Sequence, residues 1–319
     1  MIRKAFASLL ALFTISNLYA EEHIASFDFI GDTKFLVVTK ERGEKLVSAY
    51  DPYIEKLSKF DLEGRINTLD NPTSRDYLDF SRRQVRIWRN EEIRKLEKII
   101  NTIKSKFLAQ RISLELPDTI ELIKSTCMEE GGAIGYTRMN FIVLAENFIY
   151  EDVLLHELFH IYSRYNPNKR KQLYAILGFH QCNVIEYPQL IRDRKMTNPD
   201  APDNDFFIRV LFQEDSLDVL LAIYATTNYD GNGFFSYLNK RLIVLTGEGY
   251  NKQPVIKEGK PVLLRFNNVS GLYEQIGRNT EFNIHPEEIC ADHFIHLLSR
   301  KRSGRDQDLI DKMGAVLRE

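Results

Sequence analysis

The sequence predicts an α+β fold, in which a mixed β-sheet supports a buried helix, with further helices before and after it. Helical periodicity over residues 75–109 and 151–164 is the first observation that predicts this fold. The second is the strand character of 24–39, 113–123 and 134–144.

The amino terminus has the pattern of a secretory signal peptide. Arg3 and Lys4 precede the apolar run 5–15, and Ala20 provides the small residue at a cleavage site. We therefore expect residues 1–20 to be removed and the protein to be exported, either periplasmic or secreted. The alternative is that this segment forms a buried first helix. No later stretch is apolar enough to span a membrane, so no integral membrane segment is expected in the mature chain.

Composition excludes some partners. The chain has 43 Lys and Arg against 45 Asp and Glu, a net charge of −2, which gives no basis for binding nucleic acid or an anionic membrane surface. Its three cysteines, Cys127, Cys182 and Cys290, lack zinc-ribbon spacing. One disulfide with one thiol left over, or three free thiols, are both consistent with this number.

Residues 21–112 are predicted to form an amino-terminal region with a β-hairpin and helices. The hairpin turns at Gly31-Asp32, between the apolar segments of residues 24–39. Residues 44–60 have helical spacing, and residues 61–75 are polar and contain a turn. One long amphipathic helix is then expected over residues 75–109, with its Lys and Arg side chains in solvent.

Residues 113–319 are predicted to form the second region of the mature chain. Strands are expected at 113–123, interrupted by Pro117, and at 134–144, followed by a helix over 151–164. A β-rich insertion is expected at about residues 197–284, in which Asn198-Pro199-Asp200 is read as a turn. The last clear helix begins near Pro286 and ends near Arg300, before a short amphipathic tail.

The helix at 151–164 carries the most specific motif of the chain. His156 and His160 are four positions apart and lie on one helical face, where two imidazoles can bind one zinc ion. Glu157 then stands beside the open coordination position and can act as a general base. The neighbouring residues are apolar, and a buried helix tolerates His and Glu poorly unless something pairs them. A chance match on an amphipathic helix is the alternative.

A catalytic zinc site needs a third protein ligand. His180 and Glu186 lie nearby in sequence, but Glu288 is the better candidate. Pro286 suits the first position of a helix, and Glu288 and Asp292 then share one face at i and i+4. Asp292 could accept a hydrogen bond from the non-ligating nitrogen of a zinc histidine. Glu287 lacks such a partner, and all three acids could instead stabilise the helix start.

The motifs H-E-x-x-H at residues 156–160 and E-x-x-x-D at residues 288–292 resemble those of the gluzincins, the thermolysin-like zinc metallopeptidases. The resemblance implies a zincin-like fold with an active-site helix and a carboxy-terminal helix that carries the third ligand. It implies that His156, His160 and Glu288 are ligands, Glu157 is the base and Asp292 supports a ligand. The strand at residues 134–144 would match the edge strand that holds an extended substrate.

The expected function is that of an exported metallohydrolase with one zinc ion per chain, acting on a peptide or protein substrate. Two alternatives are a non-catalytic binding protein that contains zinc and an amidase of cell-wall peptides. The oxyanion that forms during hydrolysis needs a donor besides zinc, and the sequence does not choose among four candidate residues. They are His285, Arg278, Tyr273 and Tyr136. His293 and His296 are expected to pack or face solvent.

Overall fold

The computed structural model describes residues 22–299 and 306–318. The predicted signal peptide lies outside these residues. The eleven described helices are α1 Lys40–Val47, α2 Pro52–Glu55, α3 Lys59–Ile66, α4 Ser74–Gln84, α5 Asn90–Gln110, α6 Glu151–Tyr165, α7 Pro167–Ile176, α8 Gln189–Arg192, α9 Leu272–Ile276, α10 Pro286–Leu298 and α11 Gln307–Arg318. The described strands are β1 His23–Asp28, β2 Lys34–Val38, β3 Val85–Arg86, β4 Thr119–Ser125, β5 Gly135–Arg138, β6 Phe141–Ala145, β7 Phe179–Gln181, β8 Phe206–Phe212, β9 Asp215–Ala225, β10 Leu238–Thr246, β11 Gln253–Pro254, β12 Ile256–Lys257, β13 Lys260–Pro261 and β14 Leu263–Leu264. The chain is therefore α+β. Among the described helices, none combines the length and the apolarity needed to cross a membrane.

The first sheet is mixed and has the order β1-β2-β4-β6-β5, with β3 paired to β4. β1 and β2 form the predicted antiparallel hairpin, while β2, β4 and β6 run parallel. One face of the sheet packs against apolar residues of α5 and α6, and the other face packs against α1. Because both faces are covered, β6 is buried along its whole length, as expected for a central parallel strand.

The prediction of one long helix over residues 75–109 is wrong. The chain forms α4 and α5, separated by β3, in which Val85 pairs with Ser125 of β4. Glu92 then caps the start of α5, since its carboxylate accepts a hydrogen bond from the backbone N–H of Arg89 at 2.7 Å. Periodicity could not detect this break because apolar residues continue on both sides of it.

The helical segment expected at residues 44–60 is also divided. Asp51 caps α2 by accepting hydrogen bonds from the backbone of Tyr53 and Ile54, and Ser58 begins α3 with a capping box. The segment at residues 61–75, expected to be polar and to contain a turn, therefore starts inside α3, which continues to Ile66.

The strand expected at residues 134–144 is a hairpin of two strands. β5 and β6 pair antiparallel across a turn at Met139-Asn140, and Met139 has a positive φ of 46°. β6 lies inside the sheet and β5 forms its edge. Only the first part of the expected strand therefore lies at the edge.

The second sheet is antiparallel and has the order β11-β10-β9-β8-β7, with β14 also paired to β10. Its strands lie in the sequence between the motif helix and the last helices. Ile208 and Val219 on one face join the main core with α7 and α10, while Phe207 and Leu220 on the other face belong to a smaller cluster. The main core thereby connects this sheet to the helices that carry the candidate site. β12 and β13 form a separate two-stranded pair.

All three cysteines are buried and free. Burial raises the pKa of the Cys127 and Cys290 thiols well above the ordinary value. Of the two arrangements left open by the sequence, the structure has three free thiols.

Candidate metal centre

The motif helix α6 places the two histidines side by side. The ring centroids of His156 and His160 are 4.7 Å apart, with the rings at 81° to each other. Acidic residues in the first turn, Glu151 and Asp152, favour this helix through its dipole. The apolar side chains around the motif are buried, so the helix is held firmly and the orientation of both imidazoles is restricted.

The carboxy-terminal helix α10 brings Glu288 to these histidines. Nε2 of His156 is 3.0 Å from Oε2 of Glu288, and Nε2 of His160 is 3.8 Å from the same oxygen. One potential ligand atom from each of the three residues lies within 4.8 Å of the others. The sequence motifs therefore meet in space, 132 positions apart in the chain for His156 and Glu288.

A carboxylate contacts the other nitrogen of each imidazole. Nδ1 of His156 lies 3.3 Å from Asp292, the residue expected to support a ligand. Nδ1 of His160 lies 2.9 Å from Glu287, for which the sequence indicated no partner. Such contacts orient an imidazole and leave its Nε2 available to a metal.

Glu287 is held in place by two further donors. Ser163 donates to its Oε2 at 2.7 Å, and the Tyr174 hydroxyl donates to the same oxygen. The i, i+4 spacing within α10 does not indicate the role of Glu287, because the partners of Glu287 lie on α6 and α7. The adjacent pair Glu287-Glu288 at a buried helix start was the only sequence signal.

Glu157 lies against the edge strand of the first sheet. A Cβ atom at Gly135 would be only 2.7 Å from Oε1 of Glu157, so a glycine is required for this close approach. Glu157 is buried, and its Oε2 has no hydrogen-bond partner among the described residues. A buried carboxylate oxygen without a partner is costly unless a ligand, water or ion satisfies it.

A loop residue that the sequence assigned to a simple turn also reaches the site. Asp200 offers a carboxylate oxygen within 4.8 Å of ligand atoms of Glu157 and His160. Its Oδ1 accepts hydrogen bonds from the backbone N–H and the hydroxyl of Thr137, both at 2.7 Å. The Asn-Pro-Asp pattern is common in turns, and nothing in it indicated this position.

The charges of the cluster influence one another strongly. Burial, followed by the negative charge of Asp200, raises the pKa of Glu157 to about 8. Burial disfavours the charged form of His160, but Asp200 and Glu288 outweigh it and raise the pKa of His160 to about 9. Burial would also raise the pKa of Glu288, but the charges of His160 and His156 lower it to about 2. The carboxylates of Glu157, Asp200 and Glu288 outnumber the two imidazoles, so the site attracts protons or cations.

The residues fit a zinc ion by their chemistry. His160 Nε2 is buried without a hydrogen-bond partner in the described chain, and it faces the same carboxylate as His156 Nε2. Two imidazoles and one carboxylate form a common donor set of catalytic zinc sites. The carboxylates bound at Nδ1 would keep both rings in the tautomer that binds through Nε2.

The other candidate ligands lie elsewhere. His180 is exposed in β7 and stacks near Phe207, and Glu186 is exposed before α8. His293 Nδ1 lies 2.6 Å from the Ile289 carbonyl, and His296 Nε2 lies 3.1 Å from the Asn279 carbonyl. These two histidines therefore bond to backbone carbonyls.

The four candidates for oxyanion stabilisation have other partners. The Tyr136 hydroxyl donates to Glu129 at 3.1 Å, and the Tyr273 hydroxyl accepts from an asparagine. His285 caps α10 by accepting from the backbone N–H of Glu287 at 3.1 Å. The Arg278 guanidinium lies over the Tyr273 ring, 5.4 Å from its centroid. In this state the structure favours none of them.

Comparisons with protein-family models, with curated proteins and with solved structures find no match for this chain.

Proposed function

We propose that this protein is an exported zinc metallopeptidase that hydrolyses peptide bonds with Glu157 as its general base. The observation that carries the proposal is the convergence of His156 Nε2 and His160 Nε2 on Glu288, with Glu157 beside them. A structural zinc site would not need a buried carboxylate oxygen without a partner next to its ligands.

The residues divide the work as follows. His156, His160 and Glu288 hold the metal, while Asp292 and Glu287 orient the two imidazoles. When bound, zinc acts as a Lewis acid and makes water more acidic. Glu157 takes a proton from the attacking water and gives it to the leaving amine.

The edge strand β5 suits an extended peptide. Arg138 pairs with Phe141 across the two-residue turn, so the backbone N–H and C=O of Arg138 face β6. The backbone N–H and C=O groups of Gly135 and Thr137 therefore face the open edge. Of these two residues, Gly135 lies next to Glu157. A substrate that adds to this edge would place its backbone beside the base, which supports peptides as the substrate class.

Replacement of Glu157 by Gln tests the proposed chemistry. We expect Glu157→Gln to retain zinc and to lose peptide hydrolysis by at least about 10²–10⁴-fold, because it keeps the shape and removes the base. Cleavage of a mixed peptide library is read by mass spectrometry, and zinc content by elemental analysis. His156→Ala is the comparison variant and should lose metal and activity together. Hydrolysis that Glu157→Gln leaves unchanged would refute the mechanism.

Export has a separate test. Amino-terminal sequencing of the exported protein should find a chain that begins at Glu21, because Ala20 ends the signal pattern. A protein that still begins with Met1 would contradict this part of the proposal.

A non-catalytic protein with a closed metal site is the second candidate. The observation that favours it is the Asp200 carboxylate, which lies near His160 and Glu157 and fills the space beside them. The two candidates differ in whether Asp200 can leave the cluster.

A further inference from the structure

Residues 197–205, here called the strap, cross the candidate metal centre and are fixed at both ends. At the first end, Arg65 donates to the Thr197 carbonyl at 2.6 Å, and the Thr197 N–H donates to Asp61 at 3.0 Å. At the other end, the Asn204 and Asp205 carbonyls each accept a backbone hydrogen bond at 2.8 Å. Movement of the strap would therefore be confined to its middle.

The middle of the strap is held by side-chain contacts with the site. Asn198 donates to Oε1 of Glu288 at 2.6 Å and accepts from the backbone N–H of Asp200 at 3.1 Å. Arg164, one turn after His160, donates to the Asp200 carbonyl at 3.2 Å. Pro199 precedes Asp200 and fixes its own φ, which reduces the entropy lost when the strap closes.

Asp200 occupies two positions that a substrate would need. Its Oδ1 accepts from Thr137 N–H, the donor that faces the open edge of the sheet. The same carboxylate lies within 4.8 Å of ligand atoms of Glu157 and His160. An extended peptide on β5 would bond to the same N–H, so the substrate backbone and Asp200 compete.

The space beside the cluster is also small. A cavity of about 190 Å³ is lined by Asp200, Glu287 and Arg164 together with residues of α7 and the strap. This volume is below the roughly 300–1,000 Å³ of pockets that bury a drug-sized ligand, and neither Glu157 nor the proposed zinc ligands line this cavity. A larger cavity of about 610 Å³ lies near β1, β2 and α1 and contains none of the candidate site residues.

We infer that Asp200 keeps the enzyme latent by occupying the space beside His160 and Glu157, and that a peptide substrate displaces the strap when it binds to β5. The inference rests on the proposed function, because it concerns the same metal and the same edge strand. Among the described residues, Asp200 is grouped with Glu157 and His160 and not with His156 and Glu288, so its carboxylate covers the base and one imidazole without completing the ligand set. A purely catalytic role would leave unexplained why Asp200 takes the substrate's hydrogen-bond donor.

The test uses the full mature protein loaded with zinc or Co²⁺, as wild type, Asp200→Asn and Asp200→Ala. Asp215→Asn changes an exposed aspartate of the second sheet and is the matched control. Acetohydroxamate, a small chelating ligand, is the probe, and its affinity is measured by calorimetry. If the strap is closed in about nine of ten wild-type molecules, both Asp200 variants should bind the probe about tenfold more tightly. Peptide hydrolysis should rise by a similar factor, while the Co²⁺ absorption spectrum without the probe should stay as in wild type, because the proposed protein ligands are unchanged.

Three other outcomes are distinguishable. Unchanged probe affinity in both Asp200 variants would overturn the inference and leave the proposed function intact. Slower hydrolysis with unchanged probe affinity would assign Asp200 to catalysis, which also overturns it. If elemental analysis finds no zinc or Co²⁺ in the loaded wild type, the proposed function fails and the inference fails with it. Asp200→Asn keeps an acceptor for Thr137, so loss of folding in Asp200→Ala alone would not block the test.

Discussion

Oε1 of Glu287 lies 2.9 Å from Nδ1 of His160, and neither residue is exposed. This contact joins α6 to α10 and fixes the imidazole that faces Glu288. With Asp292 at His156, it means that both proposed zinc histidines have a carboxylate behind them. We therefore expect the loss of either contact to weaken zinc binding as well as to change the orientation of the imidazole.

Glu287→Ala should lower zinc affinity by about 10–100-fold, because His160 loses the acceptor that orients it. Affinity is measured by competition with a chelator of known strength. Glu287→Gln keeps an acceptor and should recover part of the loss, which a merely structural role in packing would not predict. Glu281→Ala, at an exposed position before α10, is the control. Equal zinc affinity in wild type and Glu287→Ala would contradict the positioning role.

Glu288→Ala should weaken zinc binding by more than the roughly 10–100-fold that loss of an outer partner costs, since a direct ligand is removed. Glu186→Ala is the matched variant, because Glu186 is the other carboxylate near the motif helix in sequence and is exposed. Equilibrium dialysis followed by elemental analysis compares the two. Full zinc affinity in Glu288→Ala, together with loss of zinc affinity in Glu186→Ala, would show that Glu186 and not Glu288 is the ligand.

Gly135→Ala should reduce hydrolysis while zinc stays bound. The added Cβ would lie 2.7 Å from Oε1 of Glu157, so the base must shift. A misplacement of about 1 Å can cost roughly 10²-fold in rate. Gly233→Ala is the control, because no atom lies within 4 Å of its added Cβ. Undiminished activity in Gly135→Ala would show that Glu157 can act from a second position.

The pair Lys124–Glu92 should make stability depend on pH. Burial alone would raise the pKa of Glu92, but hydrogen bonds from Lys124 and from the Arg89 backbone outweigh it and lower this pKa. The pair therefore stabilises the fold above about pH 4.3, the ordinary value for glutamate, and this contribution is lost as the pH falls through the lower folded pKa.

Lys124→Met should accordingly destabilise the protein by about 1.5–3 kcal/mol at neutral pH, since a hydrogen bond to a buried charge is lost. Urea unfolding of both proteins at several pH values checks this. The difference should shrink below about pH 4.3, and the double variant with Glu92→Gln should recover most of the stability. A difference that is constant with pH would argue against the ion pair as its cause.

The sequence alone determined the local elements that carry the site. The i, i+4 spacing of His156 and His160 and that of Glu288 and Asp292 follow from helix geometry, and both helices occur where their signals predicted. Turn residues likewise predicted the β1–β2 hairpin. Where apolar residues keep their helical spacing, as on both sides of Val85, the sequence cannot indicate a break.

Tertiary structure decided which distant groups meet. Glu287 contacts His160 only because α10 packs on α6, and Asp200 reaches the cluster only because the strap is anchored at both ends. Spacing in sequence specifies which side chains share one element. Contacts between elements instead depend on how buried surfaces fit together, and no local pattern encodes that fit.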